Sequence, residues 1–241
     1  MKGKQNLLKL LVLAMLVALG VVISPILRVE GMCPMAHFIN IVCSVLLGPW
    51  YSLLCALTIG IIRMMTMGIP PLALTGAVFG AFLSGVFYRL SKGKIIFAVL
   101  GEIIGTGFIG AIASYPVMTF IMGKEGLTWL FYVPSFVCGT LIGGSLAYAF
   151  LRKMAGSGAL VKIQTSIGAT GYTDKTSIAS NAITIAAFGV VLFVVIKVLA
   201  DMFTLKGAVW NYGAYFALGA LIAAAAIYFV IGKIKEAKKN E

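Results

Sequence analysis

The feature that most constrains this chain is a series of long apolar runs separated by short polar connections. About 20 helical residues cross a hydrocarbon core of about 30 Å, and continuous runs favour helices over the alternating strands of a membrane barrel. Only 11% of the 241 residues are charged, whereas soluble domains carry about 25%. We therefore predict an all-α polytopic membrane protein with eight spans. They lie at roughly residues 7–27, 35–48, 50–66, 71–89, 95–119, 128–151, 180–203 and 209–232.

Nearly all of the positive charge of the chain lies in short loops and at the two ends, while Lys197 lies within a predicted span. A net charge of +12 could indicate nucleic acid binding, but this distribution is the positive-inside pattern of membrane proteins. With a cytoplasmic N-terminus, fourteen basic residues are cytoplasmic: Lys2, Lys4, Lys9, Arg89, Lys92, Lys94, Arg152, Lys153, Lys162, Lys175, Lys233, Lys235, Lys238 and Lys239. Four are external: Arg28, Arg63, Lys124 and Lys206. We predict that both termini are cytoplasmic and that no nucleic acid is bound.

One long polar stretch divides the chain. Residues 155–179 are rich in Gly, Ser and Thr, which is typical of a flexible linker. We predict that this cytoplasmic linker joins a six-span core, residues 1–154, to two further spans with a basic tail, residues 180–241.

Small residues mark one face of the first span. Ala14 and Ala18 are four residues apart, so they share a helix face and leave a shallow groove where another helix can approach closely. The groove could serve packing within the chain, or docking onto a helix of a partner.

A polar stripe begins the second span. His37, Asn40 and Ser44 follow an i, i+3, i+7 pattern on one helix face, and polar side chains in membrane helices usually face the bundle interior or a cavity. His37 is the only histidine, so a metal site is disfavoured. It either forms a hydrogen bond between helices or contacts a ligand.

Two further charged residues lie inside or beside spans. Arg63 precedes a Gly/Pro-rich loop and could extend to the interface or hold a lid or an anionic group. Glu102 lies about eight residues into the fifth span, where a carboxylate is costly unless it is protonated or paired. Thr106 lies one turn away on the same face. Four glycines nearby permit close approach of a helix or ligand; they are Gly101, Gly105, Gly107 and Gly110.

Enzyme signatures do not occur in the sequence. It contains no P-loop, HExxH or GxSxG motif, and it has too few carboxylates for a two-metal site. The four cysteines lack CxxC spacing and indicate packing. We predict a protein that is not an enzyme, with no cofactor and no metal.

Longer ordered motifs resemble a known family. The run from Cys33-Pro34-Met35 through His37 and Asn40, followed by Leu47-Gly48-Pro49-Trp50-Tyr51, is similar to ThiW proteins, which are substrate-binding S-components of energy-coupling factor (ECF) transporters. Gly101-Glu102, Gly105-Thr106-Gly107 and Ser114-Tyr115-Pro116 also resemble that family. The resemblance covers about residues 5–153.

The resemblance implies a subunit of the cell membrane that captures the thiamine precursor hydroxyethylthiazole. It would dock through Ala14 and Ala18 onto a transmembrane coupling subunit driven by two ATPase subunits. The candidate substrate contacts are His37, Asn40, Arg63, Glu102, Thr106, Tyr115, Trp129 and Tyr132. The alternatives are a stand-alone secondary transporter with Glu102 as proton carrier and, more weakly supported, a membrane scaffold that transports nothing.

Overall fold

The computed structural model describes residues 2–26, 28, 32–169, 171, 178–202 and 207–237. Throughout these ranges the regular elements are helices and no strand occurs, so the predicted all-helical class is confirmed. The chain forms two compact units, Met1–Asp174 and Lys175–Glu241.

Helices occupy each of the predicted spans. The first unit contains α1 (Lys2–Ile23), α2 (Pro34–Leu47), α3 (Pro49–Met67), α4 (Leu72–Leu90), α5 (Ile95–Ile121), α6 (Val133–Gly156) and α7 (Ala159–Ser166). The second unit contains α8 (Ile178–Met202) and α9 (Ala208–Ala237).

Six helices in the described part of the chain are long and apolar enough to cross a membrane, namely α1, α3, α4, α5, α6 and part of α9. Helix α2 is apolar but has only 14 residues, a length of about 21 Å at 1.5 Å per residue. The two additional C-terminal membrane spans stay a prediction.

The break between α2 and α3 follows from two residues. Gly48 has φ 91°, a left-handed conformation that glycine adopts without steric cost. Pro49 begins α3, where the missing amide hydrogen costs no helical hydrogen bond. The short α2 therefore ends inside the protein and α3 starts at once.

Helix α5 differs from the regular span predicted at 95–119. It includes π-helical turns at Ile103–Gly110 and at Val117–Ile121. The second π stretch starts directly after Pro116, which cannot donate an i→i−4 hydrogen bond. For the first stretch the sequence contains no comparable signal. Such segments are frequent at functional sites, and this one starts directly after Glu102.

Glycines bring the main chains of α4 and α5 into contact. A Cβ atom added at Gly105 would lie 2.5 Å from the Cα of Gly80 and 2.6 Å from the carbonyl oxygen of Phe79. A Cβ at Gly101 would lie 2.5 Å from the carbonyl oxygen of Leu83. The close approach predicted for these glycines is therefore made by a neighbouring helix.

Part of the predicted linker at 155–179 is helical, because residues 159–166 form α7. Leu160 and Gln164 are one turn apart and both are buried. The amide nitrogen of Gln164 donates to the carbonyl oxygen of Val45 at 2.9 Å and to the hydroxyl of Tyr88 at 3.1 Å. These contacts fix α7 against the first unit. Residues 170 and 172–177 of the predicted linker lie outside the described residues.

Candidate functional site

Three polar side chains surround one carboxylate oxygen of Glu102 between α2 and α5, which makes a cluster of four polar residues. Oε1 of Glu102 lies 2.9 Å from Nδ1 of His37, 3.0 Å from Nδ2 of Asn40 and 3.1 Å from Oγ1 of Thr106. All four residues are buried, and Glu102 has no exposed surface. These hydrogen bonds offset part of the cost of burying a carboxyl group between helices.

The helical periods of α2 and α5 produce this cluster. His37 and Asn40 project from one face of α2 because they are three residues apart, and Glu102 and Thr106 are one turn apart on α5. The sequence predicts each pair separately. The contact joins residues 65 and 62 positions apart, and only the packing of α2 against α5 produces it.

Gly80 of α4 makes room for the cluster. A Cβ atom there would overlap Oγ1 of Thr106 and would lie 2.8 Å from Oε2 of Glu102. Oε2 is buried and has no hydrogen-bond partner. The sequence analysis missed Gly80, although a glycine in the middle of a predicted membrane helix is a signal for close packing.

A cavity of about 450 Å³ lies beside the cluster. This size is typical of small-molecule sites. Four predicted site residues line it: His37, Arg63, Thr106 and Tyr132. Asn40 and Glu102 lie behind this wall and are hydrogen-bonded to each other. Glu102 also bonds to His37 and Thr106, which lie in the wall.

Two of the predicted aromatic contacts lie elsewhere. Tyr115 and Trp129 do not line the cavity; their rings pack together with centroids 4.4 Å apart, and Trp129 is 56% exposed. Phe136, which the sequence analysis missed, lines the cavity instead. It follows Tyr132 by one helical turn, so the i, i+4 spacing at the start of α6 was the signal that could have found it.

Arg63 points inward and is nearly enclosed. Only 4% of the residue is exposed, it lines the cavity, and its Nε atom has no hydrogen-bond partner. A side chain that extended to a membrane interface would expose its guanidinium group. Of the two interpretations of Arg63, the structure favours the one in which it serves the cavity.

Helix α1 presents its two alanines outward. Leu13, Leu16 and Gly20 are buried, and a Cβ at Gly20 would collide with Ile59 of α3. Ala14 and Ala18 lie on the opposite side and are exposed. Within the described residues the small-residue groove is therefore not used for packing.

The cavity, the cluster and the exposed alanines all lie in one stretch of sequence. The model of the family described as "Thiamine-precursor transporter protein (ThiW)" matches residues 10–157. The chain belongs to the ThiW family. The resemblance inferred from the sequence is thereby confirmed, and the match ends before α8 and α9. No curated protein and no solved structure matches the chain.

Membership of the ThiW family agrees with the architecture. ThiW proteins are thiamine-precursor transporters, and the several apolar helices make this chain a multi-pass membrane protein. Its substrate is a small molecule and its surroundings are membrane lipid. Within the described residues, no group of three His, Cys, Asp or Glu side chains is arranged to hold a metal ion.

Proposed function

We propose that the chain is the substrate-capture S-component of an ECF-type transporter and that it takes up hydroxyethylthiazole across the cell membrane. Both termini are then cytoplasmic and the cavity opens outward. The observation that carries the proposal is the small cavity of a ThiW protein, with His37 and Thr106 in its wall and Glu102 behind them.

The chemistry of the wall suits a heteroaromatic alcohol. Because Nδ1 of His37 is bonded to Glu102, the other imidazole nitrogen is left for a ligand hydroxyl or ring nitrogen. The rings of Tyr132 and Phe136 offer apolar surface for a planar ring.

Direct binding tests the substrate. We expect the purified chain in detergent to bind labelled hydroxyethylthiazole saturably and more tightly than the millimolar level, which corresponds to about −4 kcal/mol. The thiamine pyrimidine and unrelated vitamins serve as competitors. Affinity no better than millimolar, together with much tighter binding of a competitor, would reject the substrate assignment.

The exposed alanines provide a test of docking. We expect Ala14→Leu or Ala18→Leu to leave ligand binding intact and to abolish ATP-dependent uptake in cells that also contain the coupling subunit and the ATPases. A leucine fills the groove that a partner helix would occupy. The control is Ala220→Leu, at an exposed alanine of α9. Equal loss of binding and uptake would show that this face only stabilises the chain.

The buried pair of His37 and Glu102 supports a second candidate function. An imidazole and a carboxylate 2.9 Å apart form a site that can gain or lose a proton, as a proton-coupled secondary transporter requires. Liposomes that contain this chain alone separate the two functions. Uptake driven by an imposed pH gradient, without ATPase subunits, would favour the secondary transporter.

A further inference from the structure

The cavity is lined by a buried arginine, Arg63, whose Nε atom has no hydrogen-bond partner in the described part of the chain. The residue is 4% exposed. A guanidinium group stays charged at all accessible pH values, and burying it without a counter-charge costs several kcal/mol. A side chain in this position is suited to a ligand that supplies the missing charge.

The other charged side chains that line the cavity are also positively charged. Arg28 and Lys124 also line the cavity, and no Asp or Glu in the described part of the chain does so. The carboxylate of Glu102 lies behind the wall, and its Oε1 atom is bonded to three protein side chains and not to the cavity. Among the described residues, the charged side chains that line the cavity are therefore all basic.

Two helices add to this potential by starting at the cavity. Ala36 and His37 belong to the first turn of α2, and Leu72 and Ala73 belong to the first turn of α4; all four line the cavity. The N-terminal end of a helix carries a partial positive charge, which favours anions.

We propose that the ligand of this cavity carries an anionic group, a phosphate or a carboxylate, and that Arg63 binds it. The proposal rests on the proposed function, since it takes the cavity as the substrate site. The planar guanidinium donates two parallel hydrogen bonds to either group. The heteroaromatic ring of the same ligand then lies against Tyr132 and Phe136. The substrate class is an anionic derivative of the thiazole alcohol. It is either the phosphate ester of the alcohol or the thiazole carboxylic acid in which a carboxylate replaces the alcohol group.

Calorimetry on the full-length chain in detergent tests the proposal with three probes: hydroxyethylthiazole, its phosphate monoester, and the corresponding thiazole carboxylic acid. We expect one anionic probe to bind at least about tenfold more tightly than the alcohol, a difference of about 1.4 kcal/mol. The tighter of the two anions identifies the group. Rising salt should weaken its binding more than that of the alcohol.

Variants assign the preference to Arg63. Arg63→Gln should remove the preference for the anion, and Arg63→Lys should retain part of it because the charge remains without the planar fork. Lys162→Gln, an exposed lysine on α7, is the control for loss of one positive charge. If Arg63→Gln does not fold, the Arg63→Lys comparison decides.

The outcomes separate this proposal from the proposed function. Tight binding of the alcohol with no gain for either anion would overturn the anionic site and leave the capture function standing. An anionic preference that is undiminished in Arg63→Gln, or as large in Arg63→Lys as in the wild type, would also overturn it. If none of the three probes binds, the proposed function itself fails.

Discussion

Replacing Glu102 with alanine is expected to abolish ligand binding and to lower the thermal stability of the protein strongly. The substitution removes the shared acceptor of His37, Asn40 and Thr106 and leaves three buried donors unpaired. Each unsatisfied buried group costs about 1–3 kcal/mol. His37 also loses the bond that orients its ring at the cavity wall.

The experiment compares ligand affinity and the unfolding midpoint in detergent for Glu102→Ala, Glu102→Gln and Glu125→Ala. Glutamine keeps one acceptor oxygen, so its defect should be smaller than that of alanine. A severe defect in Glu102→Gln as well would indicate that an ionised carboxylate is required. Glu125 is exposed, so its removal should have little effect. Wild-type behaviour of Glu102→Ala would contradict the central role of this residue.

The second large effect is expected from Gly105→Ala. The added methyl group would lie 2.5 Å from the Cα of Gly80 and 2.6 Å from the oxygen of Phe79. Both obstacles are main-chain atoms, so no side-chain rotation can relieve the overlap. Overpacking costs typically about 1–3 kcal/mol, and we expect the upper part of this range, seen as a lower unfolding midpoint.

Gly156→Ala is the matched control for the substitution at Gly105. Gly156 also lies in a helix of the first unit, but no atom lies within 4 Å of the added methyl group. Its unfolding midpoint should stay unchanged or rise slightly, because alanine restricts the unfolded chain. Equal midpoints for the two variants would show that the contact between α4 and α5 is looser than the structure indicates.

Sequence reasoning worked where helical periodicity decides the outcome. The spacing of His37 and Asn40, and of Glu102 and Thr106, predicted which side chains share a face. The cost of a carboxylate in hydrocarbon predicted that Glu102 needs partners. The identity of those partners depends on how α2 packs against α5, and no local pattern contains that information.

Composition and residue type did not predict structure at places where a few tertiary contacts determine it. The Gly- and Ser-rich stretch after α6 was predicted to be a linker, and part of it forms a helix that buries Leu160 and Gln164. Tyr115 and Trp129 were predicted to contact the substrate, but their rings pack on each other and do not line the cavity. The sequence did not decide whether the side chain of Arg63 extends to the membrane interface or is buried at a cavity, because both arrangements are compatible with the same residues.

The contact between α4 and α5 has a mechanical consequence. Helices whose main chains touch resist sliding past each other, so we expect these two helices to move together during transport. We expect a rearrangement that admits a ligand to involve the connections at either end of this pair, residues 68–71 and 122–132. There, Gly68, Gly123 and Gly126 have open space around them, and the main chain can turn without disturbing the buried cluster.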